Sequence, residues 1–594
     1  MTLLTRYLPF AASTTTLQAA TYLLGISLFS ISFLVFLNSS VSFVITDLIG
    51  QKDGVGDVVG TLGFADEIVA LIACPVWGLV SDRLGVRWVA VLGYLIISAA
   101  LALFVQARNI YPQLLLARIF FAVGATAAAT MVTAILPSLT DESEAAATFS
   151  RQPRKPNDGR ASRESVALSL ESELTITPER YTRTVSSASS TASDEDKRLG
   201  KPSALAGYVG VFTGCGALVA LSLFLPLPAK FGEADGVSTA DAVMYAFYVV
   251  SLVSLGVAAF VYVGLKGLKG EDGKGWSVLF GGKATERASD GVDGSSVHGS
   301  VQRPVLPYLH LLREAVKLGL TDSNIALGYL GGFVARASTV AISLFVPLFV
   351  NTYFISHGFC QGSPHDPSPE LKKECRAAYI LASILSGVAQ LLGLLCAPLF
   401  GYLSSRTRRA NVPVHVASVL GVVAYSAFPR LHSPEIKDVS GRGGGPLVLL
   451  LVALMGVSQI GAIVCSLGSL GRGVLSSDVP ARPSADDCGD EDYRNPRRDH
   501  DETTALLPGV EEVAAPRDSL ALGDPQTRVR LKGSIAGVYS WCGGAAILLL
   551  TKIGGYLFDS VSTGAPFYMM AAFNAIWLAA SLGIDMAREF KERR

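Results

Sequence analysis

The chain runs to 594 residues with 49 basic and 49 acidic side chains, so its formal net charge is zero; half of its residues are hydrophobic and only 16% are charged. Water-soluble domains carry roughly a quarter charged residues, so this composition calls for lipid around it, and the balanced charge offers neither a basic face for nucleic acid nor an acidic solvating tail. No Cys and His spacing resembles a zinc site, no nucleophile stands with an evident base, and no glycine loop of the ATP-binding kind is present; no metal, no cofactor and no enzymatic activity are expected.

Crossing a hydrocarbon core of about 30 Å takes roughly 20 helical residues. Twelve apolar segments meet that length, at 22–47, 57–80, 87–106, 112–137, 203–226, 241–265, 323–349, 376–402, 411–429, 446–470, 533–554 and 565–585. The expected fold is an all-α membrane protein, with six segments on each side of a polar stretch centred near residue 290. An even number of crossings puts both termini on one side. The predicted organisation is a cytosolic N-terminal segment 1–21, a first bundle over 22–138 and 203–265 interrupted by 139–202, a linker 266–322, a second bundle over 323–470 and 533–585 interrupted by 471–532, and a tail 586–594. Residues 139–200, 267–310 and 472–530 hold too little apolar area to offset chain entropy, and they are expected to be mostly disordered. The first apolar stretch is too long, and lacks the small-residue site, for a cleavable signal peptide.

In chain order, the first segment carries Asn38 at mid-depth, and the second carries Asp66 and Glu67. These acids lie about 24 Å along the helix from Asp82, inside the membrane, and adjacent positions differ by about 100° around the axis. One can therefore face a central cavity while the other packs against a neighbouring helix. The segment ends in PVWGLVSDRLGVR, residues 75–87. The fourth opens with LLLARIFFAVGAT, where Arg118 lies near a helix end and can snorkel to the interface. Within the first polar insertion, Ser186, Ser187, Ser189 and Ser190 precede Asp194, Glu195 and Asp196, a pattern that reads either as a kinase target or as a solvated tether.

The seventh segment has Arg336 about halfway along, with no acid in the same helix; its partner must be an acid of the second segment or an anionic group on cargo. An ionisable group at the bilayer centre costs several kcal/mol and persists mainly for function, so Asp66 or Glu67 is the expected protonation site and Arg336 its partner or a substrate anchor, a static ion pair being the alternative. An outer loop holds Cys360 and Cys375, which an oxidising lumen or exterior would allow to bridge. The eighth segment carries Gln390 at the position 323 residues after Glu67, and ends in PLFGYLSSRTRRA, residues 398–410. Asn38 in the first segment, Gln390 in the eighth, Gln459 in the tenth and Asn574 in the twelfth either hydrogen-bond cargo or join helix to helix. Glu502 with Leu506 and Leu507 matches the acidic dileucine pattern read by sorting adaptors, a string that also arises by chance in polar stretches.

The stretches 75–87 and 398–410 are two copies of one pattern, with Pro75, Gly78 and Arg83 in register with Pro398, Gly401 and Arg406. Such a repeat, once per half, signals a duplicated bundle. Gly78 permits close helix approach, and Asp82 is placed to face the positive end of a helix from the opposite half. Arg83, Arg87, Arg406 and Arg409 in short loops, with the basic C-terminal tail, put these loops and both termini in the cytosol.

This pattern resembles the major facilitator superfamily, whose signature in that loop is Gly-x-x-x-Asp-Arg-x-Gly-Arg-Arg. Gly78, Asp82, Arg83, Gly85 and Arg87 match it, with Val86 departing; in the second copy Gly401, Arg406 and Arg409 match, with Ser405 in place of the acid and Arg408 in place of the glycine. The resemblance implies two pseudo-symmetric six-helix bundles, a latch at these loops in the outward-facing state, and a part for Arg118 in proton transfer. It also implies a secondary active transporter of a small organic solute, coupled to protons, closest to fungal facilitators of the drug:proton exporter type, in the vacuolar or plasma membrane. The Gly-Pro pair of the antiporter signature is missing from the fifth segment. A solute sensor or scaffold signalling through the long insertions is the competing expectation.

Overall fold

The computed structural model describes residues 8–51, 55–141, 200–233, 236–269, 308–357, 376–407, 411–437, 443–475 and 531–593, together with 271, 274–279 and Arg528. Among the described residues there are no strands. Twelve helices are long and apolar enough to cross a membrane: α1 (Thr16–Ile49), α2 (Val58–Leu84), α3 (Val86–Phe104), α4 (Ile110–Thr140), α5 (Gly200–Gly232), α6 (Thr239–Gly264), α7 (Ser323–Ser356), α8 (Ile380–Arg406), α9 (Val412–Arg430), α10 (Leu447–Leu475), α11 (Lys532–Ser560) and α12 (Ala565–Lys591). Several outrun the sequence boundaries, because the helix continues past the last strongly apolar residue into polar turns such as Ser81 to Arg83.

Local chemistry sets the ends. Thr15 closes a capping box with Gln18 before α1. The Ser238 hydroxyl accepts from Asp241 N at α6, and the Asp322 carboxylate accepts from Asn324 N and Ile325 N at α7. Between α2 and α3 the chain turns on Gly85 at φ 101°, a backbone conformation that a Cβ would strain.

The helices pack as two lobes. In the first, α3 lies between α4 and α6 while α2 packs on α4; in the second, α10 lies against α7, α8 and α9, and α9 against α12. Stacked aromatic rings fill the first lobe, with Phe36, Phe104 and Phe247 all fully buried. Between lobes, α2 runs along α11, and α5 meets α8 where Gly207 faces Gly401. The chain ends share one face of the bundle, here called the termini end: Thr14 bonds Leu139 O at the close of α4, Gln18 Nε2 bonds Lys266 O after α6, and Arg588 bonds Ser323 at the start of α7.

Ordered residues occur within the polar stretches. Residues 274–279, inside the span 267–310 expected to be mostly disordered, include a turn of helix, and Tyr308–Thr321, which lies mostly beyond that span in the linker, forms an amphipathic helix whose Leu311, Ala315 and Leu318 are buried, packed on α7 and α11. Its apolar stripe alone escapes a count of long hydrophobic runs. Likewise α10 extends to Leu475, and Arg528 is 5% exposed, bonded to Asp322 at 2.8 Å and to Gly473 O at 3.2 Å. Cys360, Cys375, Arg409, the serine cluster at 186–190, and Glu502, Leu506 and Leu507 lie outside the described residues.

Candidate functional site

Asp66 and Glu67, neighbours in sequence, have different surroundings, as the 100° step between them requires. Asp66 turns into its own lobe. Arg118 Nε on α4 donates to its two carboxylate oxygens at 3.0 and 2.9 Å, and Arg118 Nη2 donates both to Asp66 and to Asn38 of α1. Arg118 is 3% exposed, and its buried Nη1 has no hydrogen-bond partner among the described residues. The result is a charge-neutral triad of Asn38, Asp66 and Arg118 tying α1, α2 and α4. Arg118, read from sequence as able to snorkel, is instead held inward by an acid.

Glu67 faces the other lobe. The charge of Arg336 on α7 acts on it and also on Cys74 of α2 and Tyr539 of α11, so the guanidinium lies where both lobes meet. The Arg336 stem covers Gly543 of α11, where a Cβ would come within 2.7 Å of its Cγ. Arg336 is nonetheless exposed, about 20 Å along α7 from Ser323. Facing lipid at that depth would cost a guanidinium several kcal/mol, which argues for a side chain turned into the seam. Among the described residues neither Glu67 nor Arg336 has a hydrogen bond or ion pair. One turn further along the same face of α2, the Phe64 ring carries Lys552 Nζ of α11 at 4.0 Å from its centroid.

Other polar positions separate from this seam. Gln459 Nε2 donates to Thr339 on α7 at 2.9 Å. Asn574 is fully buried, donating to Met570 O and accepting from Ser458, with Gly421 of α9 against it; it joins helices rather than lining the seam. Gln390 is exposed on α8.

At the termini end the two loop motifs sit between lobes. Gly78 lies so close to α11 that a Cβ would meet Gly533 O at 2.5 Å and Gly537 Cα at 2.9 Å. Asp82 takes up the first free amides of α11: Gly533 N donates at 2.8 Å and Ser534 N at 2.7 Å, with the Ser534 hydroxyl adding a third bond. Arg83 stacks on Tyr308 of the linker helix at 3.6 Å, and Arg87 Nε bonds Tyr262 O at 2.8 Å. In the second copy a Cβ on Gly401 would reach Gly207 Cα at 2.7 Å, while Arg406 is exposed over Tyr402 of its own helix.

Sequence reasoning missed the residues that complete this contact. Lys532, the first residue of α11, is fully buried and reaches into the first lobe, bonding Ser138 Oγ at 2.5 Å and Glu271 Oε1 at 2.6 Å. Glu271 also pairs with Lys274 at 3.2 Å and accepts from Val86 N, at the start of α3, at 2.7 Å. Burial by itself would raise the Glu271 carboxyl, but the Lys274 and Lys532 ammoniums outweigh it and hold the group below the ordinary carboxylate range. A Lys at a helix N-terminus runs against the dipole, and that misfit was the available signal. Lys552, a lone charge inside an apolar segment, was visible in the same way.

Fold and seam together define a two-lobed, twelve-helix membrane protein with ionisable groups between its lobes. Residues 28–151 match the family model of the Major Facilitator Superfamily, a stretch that takes in α2 to α4 and most of α1. Among solved structures the chain is similar to an E. coli fucose:proton symporter, with 11% identity, 94% of this chain and 97% of that one covered, and a TM-score of 0.48. It is also similar to a human organic anion transporter, at 14% identity, 95% and 98% coverage and TM-score 0.44. A bacterial homologue of the iron transporter ferroportin in its outward-facing state gives 13% identity, 98% and 100% coverage and TM-score 0.49. No curated protein matches the sequence.

Proposed function

We propose that the whole chain is a major facilitator type secondary transporter, moving a small organic solute by alternating access and drawing on protons. The observation that carries this reading is the placement of Glu67 and Arg336 on opposite lobes, at mid-depth, without an ion pair among the described residues. A carboxylate that loses and gains a proton in such a seam changes the attraction between the lobes, which is what coupling requires. The glycine contacts at Gly78 and Gly401 supply the surfaces on which the lobes part and close. The residues proposed to act are Glu67 for the proton, Arg336 for the cargo, and Asp66 with Arg118 and Asn38 as the neutral support beside them. The Arg-rich short loops support cytosolic termini in a vacuolar or plasma membrane.

The test is flux in proteoliposomes under an imposed pH gradient. Uptake or release that follows the gradient, and is abolished by Glu67→Gln and by Arg336→Ala, supports transport. Solute binding without flux supports the sensor reading, which the stacking of Arg83 on Tyr308 favours because it ties the linker to the lobe contact.

A further inference from the structure

We infer that the cargo is an organic anion whose carboxylate or phosphate is held by Arg336, and that it loads together with a proton. The inference rests on the transport reading for movement of the cargo, and not for its binding.

The charge balance of the seam decides the sign. Asp66 and Arg118 cancel one another through their ion pair. Among the described residues what remains is Arg336 from α7 and Lys552 from α11 against Glu67, an excess of cation. Lys552 stands over Phe64, which shares a face with Glu67 one turn away. From Gly543, beneath the Arg336 stem, to Lys552 is nine residues of α11, about 13 Å. A small organic acid or phosphate ester fits that interval, its anionic end in the fork of the guanidinium and its body along the apolar wall between. A cationic cargo meets two like charges there, and a neutral one leaves the Arg336 charge uncompensated.

The groups around Glu67 are few. Its own helix supplies Asp66 and Cys74, α4 supplies Arg118 and α7 supplies Arg336, while on α11 Tyr539 and Cys542 lie toward Arg336, Lys552 stands over Phe64 and Lys532 is buried at the termini end. Charged residues of the other elements packed on α2 lie at its ends: Asp47 beyond α1's midpoint, Arg87 at the start of α3, and the linker helix behind Arg83. Ionised Glu67 competes with an incoming anion for Arg336, and protonated Glu67 does not. Proton and anion thus favour one another's binding, the reverse of the drug-for-proton exchange implied by likeness to drug exporters.

The experiment measures thermal stabilisation of the full-length purified protein by benzoate, succinate and phenyl phosphate, with tetraphenylphosphonium and glucose as cationic and neutral probes. At least one of the three anions is expected to bind. Its apparent affinity is expected to rise about tenfold or more from about pH 8 to about pH 6. Arg336→Ala is expected to lower affinity at least about tenfold, Arg336→Lys to retain part of it, and Glu67→Gln to hold the tight value across the range. Monodisperse elution of Arg336→Lys and Arg336→Gln guards against misfolding. Binding of the cation or glucose but of none of the anions overturns the anion assignment and leaves transport standing, and so does silence from every probe. Anion binding that tightens as pH rises, or that ignores Arg336, overturns the site as drawn. Anion binding without flux upholds the inference and sinks the transport reading.

Discussion

The two seams between the lobes start from the same geometry and differ in chemistry. Where α2 meets α11, and where α5 meets α8, a glycine of the repeated motif touches backbone of the other lobe. In the first seam Asp82 caps the opposing helix, and a fully buried Lys532 is neutralised by Glu271. In the second, Ser405 stands where the acid would be, its backbone oxygen against Gly200 and its hydroxyl turned back to Tyr402 O of its own helix. Duplication supplied the shape twice, and among the described residues the acid that caps an opposing helix is present in the first copy. The α2 to α11 contact therefore resists parting at the termini end, while the α5 to α8 contact relies on close packing.

The largest effect is expected from Glu271→Gln, which leaves the Lys532 ammonium buried beside the start of a helix without its acid. Breaking a buried pair from one side costs about 3 to 5 kcal/mol, read as a fall in thermal stability and greater cysteine accessibility at the termini end. Next comes Gly78→Val: the added side chain meets backbone at Gly533 and Gly537, which cannot rotate away, so about 3 kcal/mol is expected against the touching arrangement. Asp82→Asn keeps the shape and removes the charge at the α11 N-terminus, for about 1.5 kcal/mol by the same labelling assay. Ser405→Asp sharpens the comparison from the other side. It adds an acid at the start of α5, and protection from labelling is expected to rise by about 0.5 to 1 kcal/mol.

The pH dependence of the first seam has a definite sign. Glu271 is held below its ordinary value, so its stabilisation is fully present above the unfolded-state value of about 4.3 and is lost only as pH falls through the lower folded-state value. The difference in melting temperature between wild type and Glu271→Gln should thus stay flat from neutral pH down to that range. A difference that vanishes near pH 6 would mean that Glu271 is not paired as described.

Twelve apolar runs were legible as twelve helices because lipid forces backbone groups to pair within the segment, making length and composition nearly sufficient. Helix ends were less legible, since α2 runs on to Leu84 through Ser81, Asp82 and Arg83, α10 runs past Arg472 to Leu475, and α11 runs past Asp559 to Ser560. Of the site, the ionisable residues inside α2 and α7 stood out by their rarity. The partner of Arg118 did not, because pairing across α2 and α4 depends on helix rotation that spacing alone leaves open. Glu271 was invisible for a further reason: it lies in a Gly-rich stretch held by tertiary contacts, with Lys532, Lys274 and Val86 closing around the acid and Gly275 N bonding Arg83 O.

Arg528 has a practical corollary. It fixes the chain after residues 476–527 to the N-terminal cap of α7 and to the last turn of α10, the helix from which that stretch departs. The described residues on either side of 476–527 are thereby planted at one spot. A fluorescent reporter or an affinity handle spliced midway between them should leave the membrane core undisturbed, which makes this stretch the natural port for instrumenting the protein in living cells.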